Sequence, residues 1–320
     1  MPAPPGPSSM EIPIIDISGY TVADAPKTSE IISALRIACV NPGFFQITGH
    51  SVPASLRTET FQKLHDFFAL PVETKKSVHR NQSASLRGYE LVGEQKLDSS
   101  MGSDQKEGFM IGPELPPGRF LQGPNRWLDE GVCPGFRETF MRYFGEAWEL
   151  SKVVFRLLAL SLGLEEGYFD EFVGRKDSIS MCRAHRYPPT TEAMATKSRG
   201  IGAHTDFGAL TLLLQDDVGG LEVYHEPDDT WYPVAYIPDA YVVNIGDMME
   251  RWTNNRYKST RHRVISPVSG RDRYSIAFFN EGLLDQVLTC IPTCVEEGER
   301  PLHEPITVER HLRNRYGGSY

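Results

Sequence analysis

A chain of 320 residues with 40% hydrophobic and 23% charged side chains can bury a substantial core, and no apolar run reaches the roughly 18–20 residues that a bilayer-spanning helix needs, so a membrane role is not expected. A formal net charge of −9 excludes a broad phosphate-binding surface, which requires clustered Lys and Arg, and with it nucleic acid as a partner. Five cysteines, odd in number and without a Cys-x-x-Cys pair, fit free thiols in a reducing, cytoplasmic setting better than a disulfide framework.

The opening Met1–Met10, rich in Pro and lacking the positive charge and apolar stretch of a secretory signal, reads as a short disordered leader. The first predicted strand is Ile12–Asp16. An amphipathic helix follows, carrying Ile31, Ile32, Leu35 and Ala38 at helical spacing and ending at Pro42-Gly43. A second strand, Gly43–Ile47, leads to a helix starting near Pro53, whose Leu56, Phe61, Leu64, Phe67 and Phe68 face a core. Residues 70–120, with many Gly, Ser and Pro, read as loop-rich. The longest helix is predicted over about Phe136–Leu162, where Phe140, Phe144, Trp148, Val154 and Leu158 form one apolar stripe.

From Ser178 the pattern changes to short apolar or alternating runs: Ile179–Tyr187, Leu210–Leu214, Leu221–Tyr224, Tyr241–Ile245, Lys258–Ile265 and Arg273–Phe279. Such runs without a strand-helix-strand rhythm predict a mainly β fold: a double-stranded β-helix, or jelly roll, braced by helices. The expected division is a helical and strand support region over 1–176, the jelly-roll core over 177–290 and a C-terminal tail over 291–320.

His204-Thr205-Asp206 is the sole His-x-Asp or His-x-Glu in the chain, and His262 lies 56 residues later (262 − 206) in a run that alternates with the outward Arg261 and Arg263. Two imidazoles and a carboxylate can bind one face of an octahedral metal and leave three positions open, which suits iron(II); catalytic zinc uses the same donors but leaves the next feature without a role. Arg273-Tyr274-Ser275 opens the following strand, with Arg273, Ser275, Ala277 and Phe279 on one face. A guanidinium fork beside a hydroxyl is suited to a carboxylate.

The segments Gly202–Gly208, Asn244–Asp247, Lys258–Val264 and Arg273–Ser275, with Pro42–Phe45, Arg87–Tyr89 and Lys106–Phe109 upstream, resemble the iron/2-oxoglutarate oxygenases of the isopenicillin N synthase-like superfamily. Arg199–Gly202 and Gln215–Leu221 look like its microbial, fungal branch, which contains ethylene-forming enzyme and thymine hydroxylase. The resemblance implies that His204, Asp206 and His262 bind Fe(II), that Arg273 and Ser275 bind the distal carboxylate of 2-oxoglutarate, and that Tyr187 bonds the same cosubstrate. It further implies a dioxygenase that consumes O2 and 2-oxoglutarate, releases succinate and CO2, and oxidises a C–H bond of a small oxygenated metabolite in secondary metabolism, with no protein partner implied. Where plant relatives place Asn two residues before that tyrosine, this chain has His185. The alternatives are an isopenicillin N synthase-like oxidase that does not use 2-oxoglutarate, and a non-catalytic jelly-roll protein that binds a carboxylate.

Alternation in Cys182–Tyr187 puts Arg183, His185 and Tyr187 on one interior face. Arg183 is then either one half of a structural ion pair or, with His185, Phe207 and Phe279, part of a substrate pocket. His50, His65, His79, His225, His303 and His311 have no partners at ligand spacing and read as local hydrogen-bonding residues.

Overall fold

The computed structural model describes residues 10–21, 25–98 and 100–317, so most of the segment read as a leader lies outside it. Two sheets dominate. Their strands are β1 (Ile14–Asp16), β2 (Phe44–Thr48), β3 (Gly88–Glu90), β4 (Glu107–Ile111), β5 (Ile179–Tyr187), β6 (Ile201–His204), β7 (Leu210–Gln215), β8 (Leu221–His225), β9 (Thr230–Pro233), β10 (Tyr241–Ile245), β11 (His262–Val264) and β12 (Arg273–Gly282). Among the described residues the larger sheet runs β1-β2-β10-β7-β12-β5-β4-β3, and the smaller runs β6-β11-β8-β9. Apart from the parallel β1–β2 pair, every neighbouring pair is antiparallel. The two sheets form the predicted jelly roll, and the site lies on their inner faces.

The helical brace is built from the predicted stripes. Phe136–Ser161 is the long helix; it buries Phe140, Phe144, Val154 and Leu158, and Phe144 meets Phe278 of β12 with ring centroids 5.4 Å apart. Helix Ala54–Ala69 begins after Pro53 and packs Phe67 against Phe136 at 4.7 Å, nearly parallel. No helix among the described residues is long and apolar enough to cross a membrane, and all five cysteines are unpaired.

Two expectations differ from the structure. Residues 70–120 contain β3 and β4, which extend the large sheet beyond β5. Their residues are buried on both faces, yet they include Glu90 and Glu107, with Lys106 just before β4; ion pairs satisfy these charges, so no polar-apolar alternation marks the strands. The run Lys258–Ile265 is strand only over β11. Before it the backbone is held by another segment: Lys258 N donates to Cys39 O at 2.9 Å, and Thr260 Oγ1 donates to Pro42 O. Gly43, with φ +79°, makes this approach possible, since a Cβ there would lie 2.0 Å from Lys258 O.

Candidate active site

β6 ends at His204 and β11 begins at His262, and the two residues are direct cross-strand partners with ring centroids 4.3 Å apart. Asp206 follows in the turn toward β7. His204 Nδ1 bonds Gly202 O at 2.8 Å and His262 Nδ1 bonds Thr260 O at 3.0 Å. A carbonyl only accepts, so each Nδ1 carries a proton, which leaves Nε2 as the ring atom available to a metal. Both Nε2 atoms lie 3.6 Å from Asp206 Oδ1. The other carboxylate oxygen, Oδ2, accepts from Thr211 Oγ1 at 2.5 Å and from Asn244 Nδ2 at 2.7 Å, which aims Oδ1 at the imidazoles.

These three side chains form the one cluster among the described residues whose donor atoms all lie within 4.8 Å of one another. Burial, reinforced by the neighbouring His262, pushes His204 down to about 4, so its ring is neutral near pH 7. Burial raises the Asp206 carboxyl, but His262, His204 and the two hydrogen bonds outweigh it and leave the pKa below the ordinary value. Two neutral imidazoles and one carboxylate are the charge state that a hard-to-borderline divalent cation requires. The sequence reading does not single out Thr211 or Asn244. A signal exists for Asn244, a lone polar side chain in the fully buried run Tyr241–Ile245.

A buried arginine faces the same cavity. Arg273 is inaccessible to solvent; its Nη2 donates to Gln215 Oε1 at 2.9 Å and its Nη1 to Ser275 Oγ at 3.3 Å. Its guanidinium carbon lies 4.8 Å over the ring of Tyr187, its direct partner on β5. No carboxylate forms a salt bridge with it among the described residues, although Asp216 contributes at longer range. A cavity joins Arg273, Ser275 and Tyr187 to His204, Asp206 and His262. A fixed guanidinium with no ionic partner is poised for an anion. Burial raises the Tyr187 phenol above its ordinary value, so it stays a neutral hydroxyl.

The adjoining cavity shares His185, His204, Asp206 and Phe279 with the first and adds Arg183, Phe207, Glu281 and Tyr316. Arg183 forms the ion pair that was one of its two expected roles, with Glu90; it also donates to Gln95 Oε1 at 3.1 Å, and its side chain lines this wall. Burial drives His185 well below its ordinary pKa, helped by Lys106 and Arg183, and its Nε2 has no partner among the described residues. Phe207 is braced by the C-terminal helix Val308–Tyr316. His311 Nε2 bonds its carbonyl at 2.9 Å, the Arg315 guanidinium lies 4.9 Å over its ring, and Tyr316 meets it at 5.4 Å. The predicted tail thus includes a helix that supplies a wall of the cavity. His79 and His225 meet carboxylates nearby in sequence, Glu94 and Asp228, whereas His50 bonds Asp239 O at 2.9 Å and His303 bonds Asn255 Oδ1 at 2.7 Å, both distant in sequence.

Behind Arg183, Glu90 binds three cations: Lys106 at 2.8 Å, Arg80 at 2.9 Å, and Arg183 itself. Burial opposes ionisation, yet Arg183, Lys106 and Arg80 hold the carboxyl far below its usual range. Glu90→Leu leaves those cations buried around an apolar group and is expected to lower stability by about 3–5 kcal/mol. A urea midpoint that does not move at unchanged slope contradicts this.

A 2OG-Fe(II) oxygenase superfamily model matches residues 178–282, and a model described as non-haem dioxygenase in morphine synthesis N-terminal matches residues 12–130. A 2-oxoglutarate-Fe(II) type oxidoreductase of Emericella nidulans is 42% identical over 319 residues, covering 96% of this chain and 90% of its own. Clavatol oxidase of Penicillium crustosum is 36% identical over 98% of this chain and 97% of its own. The crystal structure of full-length Neurospora crassa thymine hydroxylase in complex with alpha-KG superposes with a TM-score of 0.88 at 29% identity, covering 98% of both chains. Sequence and fold agree across nearly the whole length, and the chain belongs to the 2OG-Fe(II) oxygenase superfamily as a dioxygenase that uses Fe(II), 2-oxoglutarate and O2.

Proposed function

We propose that His204, Asp206 and His262 hold the iron, that Arg273, Ser275 and Tyr187 seat 2-oxoglutarate, and that the adjoining cavity presents a C–H bond of a small oxygenated metabolite for hydroxylation. The observation that carries this reading is the approach of both Nε2 atoms to within 3.6 Å of Asp206 Oδ1, in a cavity that also holds a buried arginine without a carboxylate partner among the described residues. The donor set fits the metal: the imidazoles are locked in one tautomer, the carboxylate is held by its second oxygen, and one face is left open. Bound Fe(II) supplies the open positions at which 2-oxoglutarate and O2 react, giving succinate, CO2 and an oxidised substrate.

The chain's own residues do the rest. Arg273 offers a rigid fork to the distal carboxylate while Ser275 adds a hydroxyl beside it. Gln215 fixes the guanidinium, so little conformational freedom is lost on binding. Phe207, Phe279 and Tyr316 line the substrate side and exclude water from it, with Arg183 and His185 as its polar groups. Relatives named for fungal secondary metabolism, clavatol oxidase among them, support a role of that kind, and five free thiols suit a cytoplasmic setting.

Thr211→Val and Asn244→Leu are each expected to weaken iron binding by about 10- to 100-fold, because both aim Asp206 without touching the metal. Anaerobic Fe(II) titration measures this; unchanged affinity in both variants removes the orienting role. The function itself is tested by succinate formation coupled to oxygen uptake. Oxygen uptake without succinate would instead favour the isopenicillin-type oxidase.

A further inference from the structure

Glu281 is a carboxyl that neither the metal centre nor the cosubstrate site uses. It is 2% exposed and lines the cavity beside Phe279, and its Oε2 is buried without a partner among the described residues. The carboxyl lies over Gly208, where a Cβ would stand 2.2 Å from Oε2 and 2.5 Å from the carboxyl carbon. The missing side chain at 208 is the space the carboxyl occupies.

The strand geometry sets Glu281 apart from Arg183 on this wall. Ala277 is the β12 partner of Arg183, and Glu281 lies four residues further along. Along the strand that is roughly 13 Å. The same wall carries the apolar and aromatic side chains of Met181, Phe207, Phe279 and Tyr316 beside His185, His204 and Asp206. An unpartnered, enclosed oxygen is tolerated far better by a neutral carboxyl than by an ion. Burial, with Asp206 and Asp247 nearby, accordingly raises this group to about 8.

We propose that Glu281 is a substrate-binding residue, and that the substrate is a ring-sized molecule with two polar ends: an acceptor oxygen toward Arg183 and an uncharged hydroxyl or amide at Glu281. The proposal rests on the reading that this cavity is the substrate site. A neutral carboxyl both donates and accepts, and so recognises such a group but gives an ammonium no ionic partner.

The test uses benzoate, 4-hydroxybenzoate, terephthalamate and 4-(aminomethyl)benzoate as probes. Binding is followed by the shift in thermal midpoint of the full chain, loaded anaerobically with Fe(II) and saturating 2-oxoglutarate. The wild type is expected to bind 4-hydroxybenzoate or terephthalamate about tenfold more tightly than benzoate. Glu281→Gln keeps a donor and an acceptor and retains the preference. Glu281→Leu loses it, and so does Gly208→Ala, which displaces the carboxyl and serves where the leucine variant fails to fold. No preference in the wild type, its survival in Glu281→Leu, or tighter binding of the aminomethyl probe overturns the proposal. Failure of the wild type to form succinate from 2-oxoglutarate in air would fault the underlying functional reading instead.

Discussion

Replacing His204 or His262 with Ala is expected to abolish turnover, and Asp206→Ala to remove most of the iron affinity. Each change deletes one of three donors that the fold brings together from β6, the turn after it, and β11. With only three protein donors, the loss should exceed the roughly 10- to 100-fold that removing an outer partner costs. The backbone should tolerate the changes. His204 and His262 hydrogen-bond carbonyls two residues away, so thermal unfolding of these two metal-free variants should stay near that of the metal-free wild type, whereas Asp206→Ala also strips the buried Thr211 and Asn244 donors of their acceptor and should unfold somewhat earlier. Fe(II) titration and succinate formation measured on the same preparations separate metal loss from unfolding. More than a few per cent of activity in all three variants would contradict the assignment.

Arg273→Ala is expected to raise the Kd for 2-oxoglutarate while leaving the iron affinity nearly unchanged. The guanidinium is fully buried, it donates to the uncharged Gln215 and Ser275, and Asp216 acts on it only at longer range, so no carboxylate pairs with it directly among the described residues. Loss of a charge-assisted fork in a dry site costs about 2–4 kcal/mol, or roughly 30- to 1,000-fold in Kd. Arg273→Lys keeps the charge but not the planar fork and should recover only part of the loss. Calorimetric titration of the anaerobic Fe(II) protein reads both constants. Normal 2-oxoglutarate binding, with lost affinity for the primary substrate, would transfer Arg273 to an isopenicillin-type role.

The jelly roll was legible because its central strands carry the pattern of their environment. Ile179–Tyr187 matches β5 residue for residue, and the Phe136 helix shows its buried stripe at helical spacing. His204 and Asp206 could be read together because a strand end and the turn after it keep a short spacing, and His262, 56 residues on, because it stands between Arg261 and Arg263 in an alternating run. β3 and β4 were hidden because their buried charges are matched by residues distant in sequence, with Lys75 meeting Glu107 and Arg183 meeting Glu90. The same long range hid the partners of the site. Tyr316 reaches the cavity from the C-terminal helix, and Glu281 becomes notable only once Gly208 is seen beneath its carboxyl. Spacing along the chain reports local geometry, whereas these contacts exist only after the sheets have closed.

Anomalous scattering of iron, in crystals grown anaerobically with Fe(II) and 2-oxoglutarate, tests the metal and cosubstrate sites together. A single strong peak is expected, bounded by His204 Nε2, Asp206 Oδ1 and His262 Nε2, with the distal carboxylate of 2-oxoglutarate on Arg273 and Ser275. Iron bound elsewhere would contradict the metal assignment, and 2-oxoglutarate seated away from Arg273 would contradict the cosubstrate assignment.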